Sequence, residues 1–218
     1  TSSYTANFTG NDTTITETDV DVVVLREYCT GNDNLESPYA VELDIQVPNP
    51  TNFPNGNYPA VVFIHGGGWS GGDYTELYKY LPEATTRGYV AVSVSYRLNI
   101  EGQIVWPGHI QDVKCAVRWL RSNASTLNIN PAAIAAVGHS AGGHLAAMLG
   151  VTDGFNNGDV QLIEGGNIDI NDSVQAVVSM AGVHNLESVY FDNPTQVAAD
   201  TLEGLLGEVP IEGEENLT

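Results

Sequence analysis

The sequence predicts an α/β fold: a mostly parallel sheet with helices on both faces and antiparallel strands at its start. From residue 60 onward, short apolar runs alternate with segments of helical periodicity, which is typical of a parallel sheet. Before that point, residues 39–47 alternate apolar with polar side chains, as a half-buried antiparallel strand does.

Length and composition favour one domain with a sizeable core. The chain has 218 residues, of which 42% are hydrophobic, and this excludes a disordered polymer. Residues 1–18 carry no apolar periodicity, so we interpret them as an N-terminal arm or irregular edge strand. Residues 19–218 are predicted to form the single domain.

Charge and the first residues bear on partners and location. The formal net charge of -20 argues against nucleic acids and anionic membrane surfaces as partners. No apolar run is long enough for a membrane span. The chain starts at Thr1 and is rich in Ser, Thr and Asn there, as after removal of a signal peptide, so we expect a secreted or periplasmic protein. Cys29 and Cys115 either form one bridge or remain buried thiols.

Individual elements follow from local pattern. The predicted strands are residues 20–28, 39–47, 60–64, 89–96, 133–137 and 173–180. The predicted helices are residues 75–87 (with Pro82 as a kink and Gly88 as C-cap), 110–125, 143–149 and 197–206.

One turn carries the clearest sign of chemistry. Residues 137–144 read Val-Gly-His-Ser-Ala-Gly-Gly-His, an apolar strand followed by Gly-x-Ser-x-Gly and a helix. Such a turn presents Ser140 at its tip, and the N–H of Ala141 lies at the positive end of the helix.

A second stretch supplies the complementary half of a site. Residues 60–64 form an apolar strand that runs into His65-Gly-Gly-Gly-Trp69. Glycine N–H groups are unobstructed by side chains, so this loop can direct donors at a developing oxyanion.

Together the two motifs resemble the α/β-hydrolase family, in particular the His-Gly-Gly-Gly-Trp esterases and lipases related to hormone-sensitive lipase and to bacterial feruloyl and acetyl esterases. The resemblance implies that Ser140 is the nucleophile and that Gly67, Gly68 and Ala141 form the oxyanion hole. It implies hydrolysis of short acyl or carbohydrate-linked esters, including polysaccharide esters, without a cofactor or metal.

In the resembling family the acid and base follow the serine along the chain, on loops after later strands. The resemblance ends near Gly207, so we expect the catalytic Asp, His and last strands beyond residue 218, in a longer product or a second polypeptide. Among internal histidines, His184 is the candidate base, with Glu187 or Asp192 as its acid. A non-catalytic ligand-binding or receptor-like protein on the same scaffold is the alternative.

Other residues receive structural interpretations. His65 is expected to hold down the glycine loop, His109 to lie at the surface or pack a loop, and Arg97 to pair with Asp112. Trp69 is a candidate pocket wall. A wider aromatic set either lines a pocket or packs in the core: Trp69, Tyr74, Tyr78 and Trp106.

Residues 153–164 match a calcium-type loop at its first, sixth and twelfth positions. Phe155 stands where the third position needs a ligand oxygen, so a solvated loop is the preferred interpretation.

Overall fold

A computed structural model describes residues 3–8, 11–16, 22–27, 41–99, 106–153, 156–157, 160–191 and 196–206. Its strands are β1 (Ser3–Phe8), β2 (Asn11–Thr16), β3 (Val22–Glu27), β4 (Glu42–Val47), β5 (Tyr58–Ile64), β6 (Val90–Val94), β7 (Ile129–His139), β8 (Asn156–Asn157), β9 (Val160–Gln161) and β10 (Ala176–Met180). Its α-helices are α1 (Leu81–Thr85), α2 (Gly108–Ser122), α3 (Ala141–Val151), α4 (Leu186–Phe191) and α5 (Gln196–Leu206).

A six-stranded sheet in the order β10-β7-β5-β6-β4-β3 forms the centre of the described chain. The first four strands of that order are parallel. β4 is antiparallel to both β6 and β3. The predicted mixed sheet with an antiparallel start is therefore confirmed.

Both faces of the sheet are apolar because helices cover both of them. Along β5, Val62 and Ile64 are fully buried in the cluster that includes α2 and α3. Phe63 points the other way and packs with Leu77 and Leu81. The period of two along a strand thus divides one apolar run between two helical layers.

The predicted helix at residues 75–87 is two helices. A 3-10 helix spans Tyr74–Tyr80, and α1 begins directly after it with Pro82 in its first turn. Proline is tolerated there because the N–H that it lacks would have no helical partner, so it starts a helix and does not kink one. Gly88 ends the segment with φ of +85°, as a C-cap glycine does.

Residues 1–18 contain more regular structure than the expected arm. β1 and β2 pair antiparallel in a two-stranded sheet of their own. Three of the six residues of β2 are threonine, whose branched side chain favours extended backbone, although neither segment has an apolar repeat.

Cationic side chains of α2 hold the segment 164–173 against the domain. Lys114 Nζ lies 3.3 Å and Arg118 Nη1 3.6 Å from Asp172 Oδ2, and all three side chains are buried. Arg118 Nε also donates to the carbonyl of Gly166 at 3.1 Å. A glycine-rich and polar segment is thereby fixed by charge, since it has little apolar surface to bury.

Arg97 pairs with Asp112 as predicted. Its Nε donates to Asp112 Oδ2 at 2.9 Å and its backbone N–H to the same oxygen at 2.7 Å. Arg97 Nη2 also lies 3.4 Å from Glu164 Oε2. The carboxylate at the twelfth position of the calcium-type pattern therefore faces a guanidinium, and the described residues contain no cluster of three metal-ligating side chains. Residues 154, 155, 158 and 159 of that pattern lie outside the described residues, so the solvated loop stays a prediction.

The described residues also bear on the state of the cysteines and on membrane-spanning helices. Cys115 is disulfide-bonded, which favours the bridged alternative, and Cys29 lies outside the described residues. None of the described helices has the length and apolar character needed to cross a membrane.

Replacing Asp172 with alanine should lower the free energy of unfolding by about 3–5 kcal/mol, because it leaves Lys114 and Arg118 buried without their shared carboxylate. Urea denaturation measures the change. The matched control is Glu83→Ala, which breaks an exposed pair with Arg87 and should cost less than about 1 kcal/mol. Equal losses in the two variants would contradict the role assigned to Asp172.

Candidate active site

Ser140 lies at a sharp reversal between β7 and α3. Its φ of +55° and ψ of -120° fall in a region that non-glycine residues seldom adopt. The Ser140 N–H donates to Met180 O at 2.9 Å, and the Ser140 carbonyl accepts from the His144 N–H at 3.1 Å. Neighbouring strand and helix thus hold the backbone in the strained conformation that presents the serine side chain.

The two glycines of the motif are required by close backbone contacts. A methyl group built on Gly138 would lie 2.0 Å from Gly142 O. One built on Gly142 would lie 2.2 Å from Ile64 O and 2.3 Å from His65 O. No side chain fits at either position, so both glycines allow α3 to begin directly against the end of β5.

The glycine loop meets the serine turn at this edge of the sheet. A methyl group built on Gly66 would lie 3.2 Å from Ser140 Cβ. Gly67 and Gly68 have φ of +103° and +59°, and the Gly67 carbonyl accepts the N–H of Gly71 at 3.0 Å. The structure therefore brings the predicted loop and serine together, although they lie more than 70 residues apart.

His65 fixes the loop, as predicted. Its buried ring donates from Nδ1 to the Gly66 carbonyl at 2.7 Å and stacks on Tyr96 with centroids 4.2 Å apart. The Tyr96 hydroxyl is 3.1 Å from the carbonyls of both His65 and Gly66. Burial lowers the pKa of His65, and this favours the neutral ring.

Trp69 packs behind the loop. Its side chain is only 2% exposed, and its edge meets His144 with centroids 5.4 Å apart. Trp106 stacks against both His144 and His109 at 6.0 and 6.2 Å. His109 is therefore a buried packing residue and does not lie at the surface. Burial lowers the pKa of His109 and of His144 to about 4.

The four aromatic residues of the wider set form two groups. Trp69 and Trp106 both pack on His144. Tyr74 and Tyr78 contact each other on the 3-10 helix, with centroids 5.7 Å apart. Trp69 is part of the core cluster, and its role as a pocket wall stays a prediction.

None of the side chains in the described ranges hydrogen-bonds to the Ser140 hydroxyl. His184 Nε2 instead lies 3.0 Å from Ser179 Oγ on β10. Glu187 lies in the first turn of α4, and Asp192 is outside the described residues. The Ser179–His184 pair was not anticipated, because neither residue belongs to a spaced motif and their contact depends on the turn after β10.

A known protein family matches most of the chain. The family model described as BD-FAE matches residues 43–218. Esterase LipC of Mycobacterium tuberculosis is 34% identical over 137 residues, which are 62% of this chain and 32% of that protein. The chain therefore spans about a third of the length of this curated relative.

Solved structures of esterases are also similar to this chain. A truncated form of a carbohydrate esterase from gut microbiota superposes with a TM-score of 0.59 at 30% identity, covering 77% of this chain and 59% of that one. Thermogutta terrifontis esterase 2, solved phosphorylated by paraoxon, has a TM-score of 0.59 at 28% identity, with 71% of this chain and 55% of that chain covered.

Gly142→Ala should destabilise the protein by about 1–3 kcal/mol or more, because its methyl group would overlap the carbonyls of Ile64 and His65. Thermal and urea unfolding measure the loss. Gly166→Ala is the matched control, since nothing in the described chain except its two chain neighbours lies within 4 Å of its added methyl group. A Gly142 variant as stable as the control would show that the helix does not approach the strand this closely.

Stability should fall as the pH is lowered from about 6.5 to about 4, because the unfolded chain binds protons in this window that buried His109 does not. One such group contributes a slope of up to about 1.4 kcal/mol per pH unit. His109→Phe keeps an aromatic ring and should reduce the slope, measured as the free energy of unfolding at each pH. An unchanged slope would contradict the burial of a neutral His109.

Proposed function

Since this chain belongs to the BD-FAE family of α/β-hydrolase esterases, we propose that it is a serine carboxylic-ester hydrolase with Ser140 as its nucleophile. The observation that carries this proposal is the strained backbone of Ser140 against the glycine loop, at the carboxyl ends of two neighbouring parallel strands. Ligand sites in open α/β sheets form at this edge.

In the proposed reaction, Ser140 Oγ attacks the carbonyl carbon of the ester while a base takes its proton. The carbonyl oxygen becomes an oxyanion that accepts hydrogen bonds from the N–H groups of Gly67, Gly68 and Ala141. Collapse of the intermediate breaks the bond to the alcohol oxygen, which receives the proton, and water then releases the acyl group from Ser140. Removing one such donor typically slows the reaction about 10²–10³-fold.

The start of α3 supports this assignment electrostatically. Ala141 is the first residue of an 11-residue helix, so its N–H lies at the positive end of the helix dipole. The positive end of α3 therefore also stabilises the negative charge that develops beside Ser140. Gly67 and Gly68 contribute donors from a loop that His65 and Tyr96 already hold in place, so little reorganisation is needed during the reaction.

The catalytic Asp and His are proposed to come from polypeptide beyond residue 218, either a later part of the product or a second chain. Two observations support this. In the described ranges no histidine reaches the Ser140 hydroxyl, and β10 is the outer strand next to β7. A parallel strand added beside β10 would end at the same edge as Ser140, which is where a base is required.

Short acyl esters and carbohydrate-linked esters are the proposed substrates. The named activity of the gut carbohydrate esterase neighbour supports the second class. The competing proposal is a ligand-binding or receptor-like protein without turnover. It is favoured by the lack of a base on Ser140 within the described residues, and an experiment on the serine itself distinguishes the two.

The native protein should form a covalent adduct with a fluorophosphonate, and Ser140→Ala should abolish it, because only a serine activated by a base attacks such a reagent. Intact mass before and after treatment measures the adduct and reveals any second polypeptide. Hydrolysis of p-nitrophenyl acetate by the same preparation should fall at least about 10³-fold in the variant.

Ser179→Ala is the matched control, because Ser179 is the serine that the structure pairs with a histidine. Labelling that survives Ser140→Ala but disappears in Ser179→Ala would transfer the nucleophile to the Ser179–His184 pair. Saturable binding of an ester without labelling would support the binding protein.

The same mass spectrum, recorded without reductant, tests the proposed secreted or periplasmic location, since a free Cys115 thiol would contradict an oxidising compartment.

A further inference from the structure

Helix α5 lies directly on the glycine loop. A methyl group built on Gly68 would lie 3.2 Å from Thr201 Cγ2 and 4.0 Å from Thr201 Oγ1. Apart from the chain neighbours Gly67 and Trp69, no other described residue comes within 4 Å of that position. In this part of the structure, Thr201 is therefore the neighbour that bounds the space beside Gly68.

Three further contacts hold α5 in this place. Leu202 and Leu205 are each 1% exposed and belong to the main core cluster. Asn99 bridges the loop and the helix, since its backbone N–H donates to Trp69 O at 2.8 Å and its Nδ2 donates to Gly204 O at 3.0 Å. Core leucines therefore fix one side of the helix. Asn99, which is itself bonded to the Trp69 carbonyl of the loop, fixes the other side.

A fourth contact ties α5 to α4. The Tyr190 hydroxyl lies 2.8 Å from Glu203 Oε1, two residues along the helix from Thr201. The helix that carries Thr201 is therefore held by α4 as well as by the loop and the core. A rigid side chain at Thr201 sets a fixed clearance over Gly68.

We propose that Thr201 is a specificity-determining residue that limits the acyl group to small sizes, acetyl above all. This inference rests on the proposed function. In the proposed pose, an ester carbonyl held by the N–H groups of Gly67, Gly68 and Ala141 carries its acyl group past the Gly68 side of the loop. The methyl group of Thr201 occupies that side, so each added methylene of the acyl chain meets it.

The test compares kcat/KM for p-nitrophenyl acetate and p-nitrophenyl butyrate in the whole protein. Thr201→Ala removes Cγ2 and should raise the butyrate-to-acetate ratio about 10-fold, as expected for space worth one or two methylenes. Thr201→Val keeps the volume beside Gly68 and should leave the ratio within about two-fold of the parent. Gly204→Ala, on the same helix, adds a methyl group that meets no described residue within 4 Å apart from its chain neighbours and its own helix backbone, and it should also leave the ratio unchanged.

The outcomes separate this proposal from the proposed function. An unchanged ratio in Thr201→Ala, with hydrolysis and Ser140 labelling intact, would overturn the role of Thr201 and leave the esterase standing. An equal rise in kcat/KM for both esters would also overturn it, because Thr201 would then bound the p-nitrophenyl side that the two esters share. A parent protein that is neither labelled at Ser140 nor hydrolytic would overturn both proposals together.

Discussion

The carbonyl groups of Ile64 and His65 lie so close to the first turn of α3 that only a hydrogen atom fits at Gly142. This backbone contact joins the end of β5 to the start of α3. β7 pairs with β5 in the sheet and leads directly into α3. The reversal at Ser140 follows from it, because the chain must turn within one residue to place the helix there. The strained φ of Ser140 is stabilised by the sheet and helix around it and not by local preference.

Local sequence patterns predicted much of this arrangement. Apolar runs and glycines identified β5, β7 and α3, because burial on both faces and close approach each leave a direct mark on composition. The pairing of Arg97 with Asp112 and the fixing of the loop by His65 were likewise anticipated. In each case the residue type has few alternatives once it is buried: a guanidinium needs a carboxylate, and an imidazole N–H needs an acceptor.

Contacts between distant segments were not readable in the same way. The Ser179–His184 pair depends on the turn after β10, and the place of Thr201 depends on where α5 docks. Neither residue belongs to a motif, and serine, histidine and threonine are all common in exposed loops. The division of residues 75–87 into two helices shows a smaller limit, since a 3-10 helix and an α-helix present similar apolar spacing over so few residues.

The use of cations inside the domain also shapes the field outside it. The chain has seven lysines and arginines against 27 acidic residues, and three of the seven, Arg97, Lys114 and Arg118, are committed to buried or half-buried ion pairs. Their partners Asp112, Glu164 and Asp172 are three carboxylates, so these charges cancel and the outward potential is set by the remaining excess of acidic residues. This potential lowers the rate at which polyanions reach the protein by diffusion and leaves the rate for neutral molecules unchanged. The difference decreases as added salt shortens the screening length to about 8 Å.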